Sequence, residues 1–117
     1  MSSHPTHYVR RLTPDVCVAA QLDPEAMAWA AQQGFKSVIN NRPDFEGGPD
    51  QPPNALIEAA ALAAGLSYAF LPVDPGYQSP EEIARFAELL GSLPKPILAF
   101  CRSGTRSGRL FAATQAI

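Results

Sequence analysis

The segment 98–108, LAFCRSGTRSG, joins a short apolar run to a loop without any apolar residue. The run ends in Cys101, and the residues after it are two arginines, three hydroxyl residues and two glycines. A thiol is nucleophilic only as the thiolate, which a helix N-terminus and neighbouring arginines stabilise. The pattern therefore predicts a buried strand that delivers a reactive cysteine to the start of a helix.

The residues after Cys101 are typical of an anion-binding loop. The backbone N–H groups from Arg102 to Arg106 are expected to form a nest that merges with the following helix. Gly104 permits a tight turn, and one guanidinium can hold two oxygens of a phosphate or sulfur oxyanion. We assign that contact to Arg106 because it closes the turn, and we expect Arg102 to point outward at the entrance. The remaining donors are hydroxyl groups: Ser103, Thr105 and Ser107.

The alternative for any lone cysteine is a small residue of the hydrophobic core. That interpretation fits Cys17, which lies within the apolar run 16–22. It does not fit Cys101, because a structural cysteine needs no flanking arginines, hydroxyls and glycines.

Helix end signals and short apolar runs alternate along the chain. Helices are predicted over 24–33, 54–65, 80–91 and from 104 to the end, and strands over 16–22, 35–40, 66–73 and 96–100. Such alternation predicts a three-layer α/β/α domain with a small, mainly parallel sheet. We expect one domain over 1–117, with 1–10 frayed. Ligands of such sheets bind beyond the carboxyl ends of the strands, where Cys101 lies.

The composition excludes several classes of function. The 117 residues carry a net charge of −2, so no strong basic field indicates nucleic acid or an anionic membrane as a partner. No apolar stretch approaches the length of a membrane span. The two cysteines form no disulfide framework, and no Cys/His spacing fits zinc, so we expect no metal or other cofactor. A reducing cytoplasm is the expected location.

The loop CRSGTRS resembles the active loops of two superfamilies, the protein tyrosine and dual-specificity phosphatases and the rhodanese-type sulfurtransferases. The phosphatase pattern is H-C-x-x-G-x-x-R-S/T. This chain has Cys101, Gly104, Arg106 and Ser107 in that order, but one residue fewer before the arginine, and Phe100 stands in the histidine position. In length the loop is closer to a rhodanese.

From about residue 11 onward the chain resembles the bacterial beta-lactamase-hydrolase-like phosphatase domain, a compact relative of the dual-specificity phosphatases. The resemblance is carried by the segment LTPDVCVAAQLDPEAMAWAAQQGFKSVINNRPDFEGG, then AAGLSYAFLPVD and the cysteine loop. It implies a phosphatase-like fold. Because members occur alone or fused to sulfur-handling enzymes, it implies both phosphatase and sulfur-transfer activity.

The resemblance also implies a general acid, which protonates the leaving oxygen of a phosphate ester. In the related enzymes this acid is an aspartate on a loop upstream of the cysteine, and Asp74 in LPVDPGY has the matching place. The alternative is that Asp74 only starts a turn. Tyr77, in the same polar turn, is a candidate for the mouth of the pocket.

Polar residues also follow the predicted strand 35–40 and should lie on the same rim. Arg42 can either hold a second anionic group of the substrate or pair with Asp44 as a solvated surface residue. The frequency of such surface pairs favours the second interpretation.

Three functions remain open on the sequence alone, and the family resemblance favours the first of them. The first is a phosphate monoester hydrolase that works through a phosphocysteine on Cys101. The second is a thiosulfate or persulfide sulfurtransferase that forms a Cys101 persulfide and passes the sulfur to a thiol such as glutathione. The third is a catalytically weak anion-binding module. All three take a small anionic substrate or ligand.

Overall fold

The computed structural model describes residues 9–116. Within that range the chain forms five strands and four α-helices. In chain order they are β1 Val9–Thr13, β2 Val16–Ala19, α1 Glu25–Gln32, β3 Ser37–Asn40, α2 Asn54–Ala63, β4 Ser67–Phe70, α3 Pro80–Ser92, β5 Ile97–Phe100 and α4 Thr105–Gln115.

The strands form one mixed sheet in the order β1-β2-β5-β3-β4. All neighbouring pairs are parallel except β1 and β2, which form an antiparallel hairpin. The central strand is β5, which ends at Phe100 immediately before Cys101. The predicted α/β class with a mainly parallel sheet is therefore confirmed.

The two faces of the sheet bury separate cores because successive side chains of a strand point to opposite faces. Leu98 and Phe100 of β5 pack with residues of α1 and α2. Ile97 and Ala99 pack on the other face with residues of α3 and α4. All four side chains are fully buried. The layers are therefore helices, sheet and helices, and β5 is covered on both sides.

The helix end signals in the sequence have the predicted geometry. Ser79 and Glu82 form a reciprocal capping box at the start of α3. The carboxylate of Asp23 accepts the N–H of Ala26 at 2.9 Å, although α1 itself begins at Glu25. Gly34, after α1, has φ of +98°, which favours glycine. The strands are shorter than predicted because the outer residues of the apolar runs are not paired in the sheet.

The strand β1 was not predicted, and the expectation that residues 1–10 are frayed does not hold for Val9 and Arg10, which belong to this strand. Val9 pairs with Ala19, and Arg10 pairs with Val18. β1 is an edge strand, and both of its arginines are exposed to solvent. Two adjacent charged residues interrupt the apolar pattern by which a strand is recognised, so VRRLT was not identified as one. The two histidines of the chain, His4 and His7, lie outside the described residues. In the described part of the chain, every helix is too short or too polar to cross a membrane.

Candidate active site

Three loops meet at the carboxyl ends of β5, β3 and β4. The backbone of Asn41, just after β3, donates to the carbonyl of Phe100 at 2.8 Å and accepts the N–H of Val73 at 3.1 Å. The N–H of Cys101 donates to the carbonyl of Ala19, at the end of β2. The cysteine loop, the segment after β3 and the segment after β4 are thus joined by backbone hydrogen bonds.

Cys101 directly follows β5 and is 1 % exposed. Its Sγ accepts a hydrogen bond of 3.1 Å from the backbone N–H of Gly104. Gly104 is the N-cap of α4 and has φ of +92°, so the chain turns sharply and directs this N–H at the sulfur. The predicted arrangement of a thiol at a helix N-terminus is present, and one backbone donor of the loop contacts the sulfur.

Replacing Gly104 by alanine should damage the loop. At a φ of +92° an L side chain is strained, and its Cβ would lie 3.4 Å from the backbone carbon and oxygen of Ala19. We expect a loss of about 1–2 kcal/mol in the free energy of unfolding, measured by urea denaturation, together with reduced turnover.

The matched control for this loop variant is Gly91→Ala. Gly91 lies within α3 with nothing within 4 Å of the added Cβ, so alanine should be neutral or stabilising there. Equal stability changes for the two variants would contradict a special role for the Gly104 turn.

Arg106 is 6 % exposed, and its guanidinium faces the other loops. Its Nη1 donates to the carbonyl of Val73 at 3.1 Å, and its Nη2 donates to Oε1 of Glu46 at 3.0 Å. Its Nε is buried without a hydrogen-bond partner among the described residues. Buried polar groups are nearly always paired, so the Nε of Arg106 is an exception among the described residues.

Arg42 pairs with Glu46, and the expected surface pair with Asp44 is wrong. Its Nε donates to Oε1 of Glu46 at 2.8 Å, and the side chain is 10 % exposed. The carboxylate of Asp44 instead accepts the backbone N–H of Asn54 at 2.7 Å, at the start of α2. Burial explains the difference, because a guanidinium removed from water needs a close carboxylate.

Glu46 was not identified from the sequence. It reaches the site because the loop after β3 turns back on itself, with φ of +67° at Phe45 and +74° at Gly48. Although desolvation is the largest influence and acts to raise its pKa, the hydrogen bonds from Arg106 and Arg42 lower the pKa of Glu46 below its ordinary value. Its carboxylate therefore stays charged at neutral pH. The sequence signal that could have identified Glu46 as a partner of Arg42 is its position four residues later in a loop that contains two glycines.

The hydroxyl of Ser107 was predicted to donate to a bound anion, but it donates to a side chain of the protein. It is fully buried and donates to Oδ1 of Asn41 at 2.8 Å. Asn41 in turn donates through Nδ2 to the carbonyl of Leu71 at 3.0 Å. Ser107 thus ties the first turn of α4 to the segments after β3 and β4, and its proton is not directed at an anion.

A pocket of about 500 Å³ opens between the three loops. Its lining is Arg42, Glu46, Gly47, Pro75, Arg102 and Arg106. Arg102 is exposed at its rim, as predicted. The Ser103 hydroxyl donates to that of Thr105 at 3.2 Å, and both residues are exposed. The pocket is lined by three guanidinium groups and one carboxylate, so its local charge is positive although the net charge of the chain is negative.

Asp74 lies in the turn between β4 and α3 and is exposed. Its Oδ1 accepts the N–H of Gly76 at 2.7 Å, which is the turn-starting role considered as the alternative. The residue before it, Val73, is held by Arg106, and the residue after it, Pro75, lines the pocket. Tyr77 in the same turn is 64 % exposed. The backbone therefore places the Asp74 turn at the edge of the pocket.

A model of the family described as "Beta-lactamase hydrolase-like protein, phosphatase-like domain" matches residues 8–117. The chain belongs to this family. A beta-lactamase hydrolase-like protein of Agrobacterium fabrum is 40 % identical to it over 85 residues, which are 73 % of this chain and 20 % of the relative. This phosphatase-like domain therefore spans about a fifth of the length of that relative.

Solved structures confirm the fold of this phosphatase-like domain. A crystal structure of a candidate phosphatase from Neisseria meningitidis is 31 % identical, with a TM-score of 0.84 over 92 % of this chain and 75 % of that one. The fold is also that of P. aeruginosa TpbA crystallised with pTyr, at 17 % identity and a TM-score of 0.69, covering 93 % of this chain and 62 % of the other. The predicted tyrosine phosphatase-like architecture is thus confirmed.

Proposed function

We propose that this domain hydrolyses phosphate monoesters through a covalent phosphocysteine on Cys101. The observation that carries the proposal is Arg106, a buried arginine that two neighbours hold in place while its Nε has no partner among the described residues. A guanidinium fixed in this way can bind two oxygens of a tetrahedral anion through Nε and Nη2. Membership of the phosphatase-like family supports the same assignment.

In the first step the Cys101 thiolate attacks phosphorus, so that an S–P bond forms as the bond to the leaving oxygen breaks. Arg106 and the N–H groups of the loop stabilise the charge on the equatorial oxygens. In the second step water attacks phosphorus, the S–P bond breaks, and inorganic phosphate and the thiolate are released. A reducing compartment would keep Cys101 available, and it is a free thiol here.

Asp74 is proposed as the acid that gives its proton to the leaving oxygen. The support is its position next to Val73, which Arg106 binds, and next to Pro75, which lines the pocket. One carboxylate oxygen serves the turn through Gly76, which leaves Oδ2 to carry the proton.

The Asp74→Asn variant tests both the acid and the type of reaction. Turnover of an aryl phosphate with a poor leaving group should fall by about 10²–10⁴-fold, the usual contribution of general acid catalysis. Thiosulfate sulfurtransfer needs no such acid and should not change. Steady-state kinetics with both substrates makes the comparison, with Asp15→Asn as the control because Asp15 is an exposed turn aspartate on the β1–β2 hairpin.

The sulfur-transfer alternative depends on the loop length, because only four residues separate Cys101 from Arg106. Brisk thiocyanate formation from thiosulfate and cyanide, without aryl-phosphate turnover in the parent protein, would replace the phosphatase proposal with that alternative. Mass spectrometry of Cys101 after each substrate distinguishes an added phosphoryl group from an added sulfur atom.

A further inference from the structure

One carboxylate oxygen binds both buried arginines of the pocket. Oε1 of Glu46 accepts from Nε of Arg42 at 2.8 Å and from Nη2 of Arg106 at 3.0 Å. Both arginines are buried. The three side chains therefore form one charged group of two cations and one anion at the wall of the pocket.

Arg42 is held on several sides. Its Nη1 donates to Oε1 of Gln21 at 3.0 Å, and its backbone N–H donates to Oδ1 of Asn40 at 2.9 Å. Its Nη2 lies close to Gly47, where an added Cβ would stand only 2.7 Å from it. Arg42 thus makes hydrogen bonds within the protein through Nε, Nη1 and its backbone N–H, while its Nη2 has no hydrogen bond among the described residues. In Arg106 the donor without a partner is the Nε.

The charges explain why a second buried arginine is needed. Glu46 holds Arg106 in position, but an unbalanced carboxylate at 3.0 Å would also cancel the positive charge that attracts an anionic substrate. Interactions between partly buried charges are weakly screened, so that cancellation would be felt at the binding site. Arg42 neutralises Glu46 at the same carboxylate oxygen and restores the net positive charge of the group.

We infer that Arg42 is a positioning and charge-balancing residue that acts on Arg106 through Glu46 and does not bind the substrate itself. The inference rests on the proposed function in one respect, that the anion binds at Arg106. It assigns the three side chains distinct roles: Arg106 binds the anion, Glu46 fixes Arg106, and Arg42 offsets the charge of Glu46.

A double-mutant cycle with inorganic phosphate as the probe tests this inference. The dissociation constant of phosphate is measured by isothermal titration calorimetry for the parent, Arg42→Gln, Glu46→Gln and the double variant. Arg42→Gln leaves the charge of Glu46 unbalanced and should weaken binding about ten-fold. Glu46→Gln keeps the hydrogen-bond acceptor, loses the negative charge and should bind phosphate at least as tightly as the parent.

The double variant decides between the two roles of Arg42. If Arg42 acts through Glu46, removal of both charges should restore the affinity to within about three-fold of the parent. If the double variant binds as weakly as Arg42→Gln, Arg42 contacts the anion directly and the inference is wrong. An unchanged affinity for Arg42→Gln alone would overturn it as well.

Two further measurements keep the test decisive. Arg42→Lys preserves the positive charge beside Glu46 and should bind phosphate more tightly than Arg42→Gln; equally weak binding by the two variants would contradict charge balancing. If Arg42→Gln does not fold, the Glu46→Gln variant carries the test, and weaker phosphate binding by that variant overturns the inference.

The parent protein separates this inference from the proposed function. A parent that binds phosphate but hydrolyses no aryl phosphate refutes the proposed function, while the cycle still tests Arg42. A parent that binds no phosphate overturns both.

Discussion

Cys101→Ser is expected to lower aryl-phosphate turnover by at least about a thousand-fold, because a neutral hydroxyl cannot replace the thiolate as nucleophile. The serine oxygen occupies the place of Sγ beside the N–H of Gly104, so the loop should keep its conformation. Steady-state kinetics gives the loss, and thermal unfolding checks that the protein is folded. Phosphate should still bind, since Arg106 is unchanged.

The second cysteine provides the control for this experiment. Cys17 lies in β2, half-buried against the core formed with α1 and α2. Burial raises the pKa of the Cys17 thiol. The positive charge of Arg11 acts to lower this pKa, but it offsets only part of the increase. Cys17 is therefore a poor nucleophile at neutral pH, and Cys17→Ser should keep near-parent turnover. If Cys17→Ser abolished turnover and Cys101→Ser preserved it, the assignment of the nucleophile would be reversed.

The second large effect is expected for Arg106→Lys. Lysine keeps the charge but has no planar fork, so it cannot donate to the carbonyl of Val73 and to Glu46 and still offer two donors to an oxyanion. The expected loss in kcat is about 10²–10³-fold, the usual effect of removing one donor for transition-state charge. Single-turnover kinetics, which follow formation of the phosphocysteine directly, measure the loss.

Arg109→Lys is the matched control, because Arg109 lies on the exposed side of α4 one turn from Arg106. It should leave kcat unchanged. An Arg106→Lys variant within ten-fold of the parent would contradict the role of the guanidinium fork and favour a simple requirement for positive charge.

The sequence predicted those parts of the protein that depend on local patterns. The apolar run before Cys101, the capping box at Ser79 and the glycine at 104 each determine local geometry, and the structure has all three. The loop is short and its residue types are unusual, so its chemistry could be interpreted without any knowledge of distant contacts. The position of Arg102 at the rim follows from the same local pattern.

The contacts between loops could not be predicted in this way. Glu46 reaches Arg106 from 60 positions away, through a turn in which Phe45 takes a left-handed conformation that its residue type disfavours. The Ser107 hydroxyl meets Asn41 only because β3 and β5 are neighbours in the sheet, although they are far apart in the chain. Charged and polar pairs of this kind depend on topology, and local patterns in a single sequence do not reveal which loops will meet.

The central position of β5 gives the two proposed reacting groups very different mechanical surroundings. Cys101 is joined to a strand that neighbours cover on both faces and both edges, so it can leave its place only when the whole domain opens. Asp74 belongs to an exposed surface turn that can open at small cost in free energy. A movement that closes the pocket around a bound substrate is therefore expected from the Asp74 turn, while Cys101 stays fixed at the end of β5.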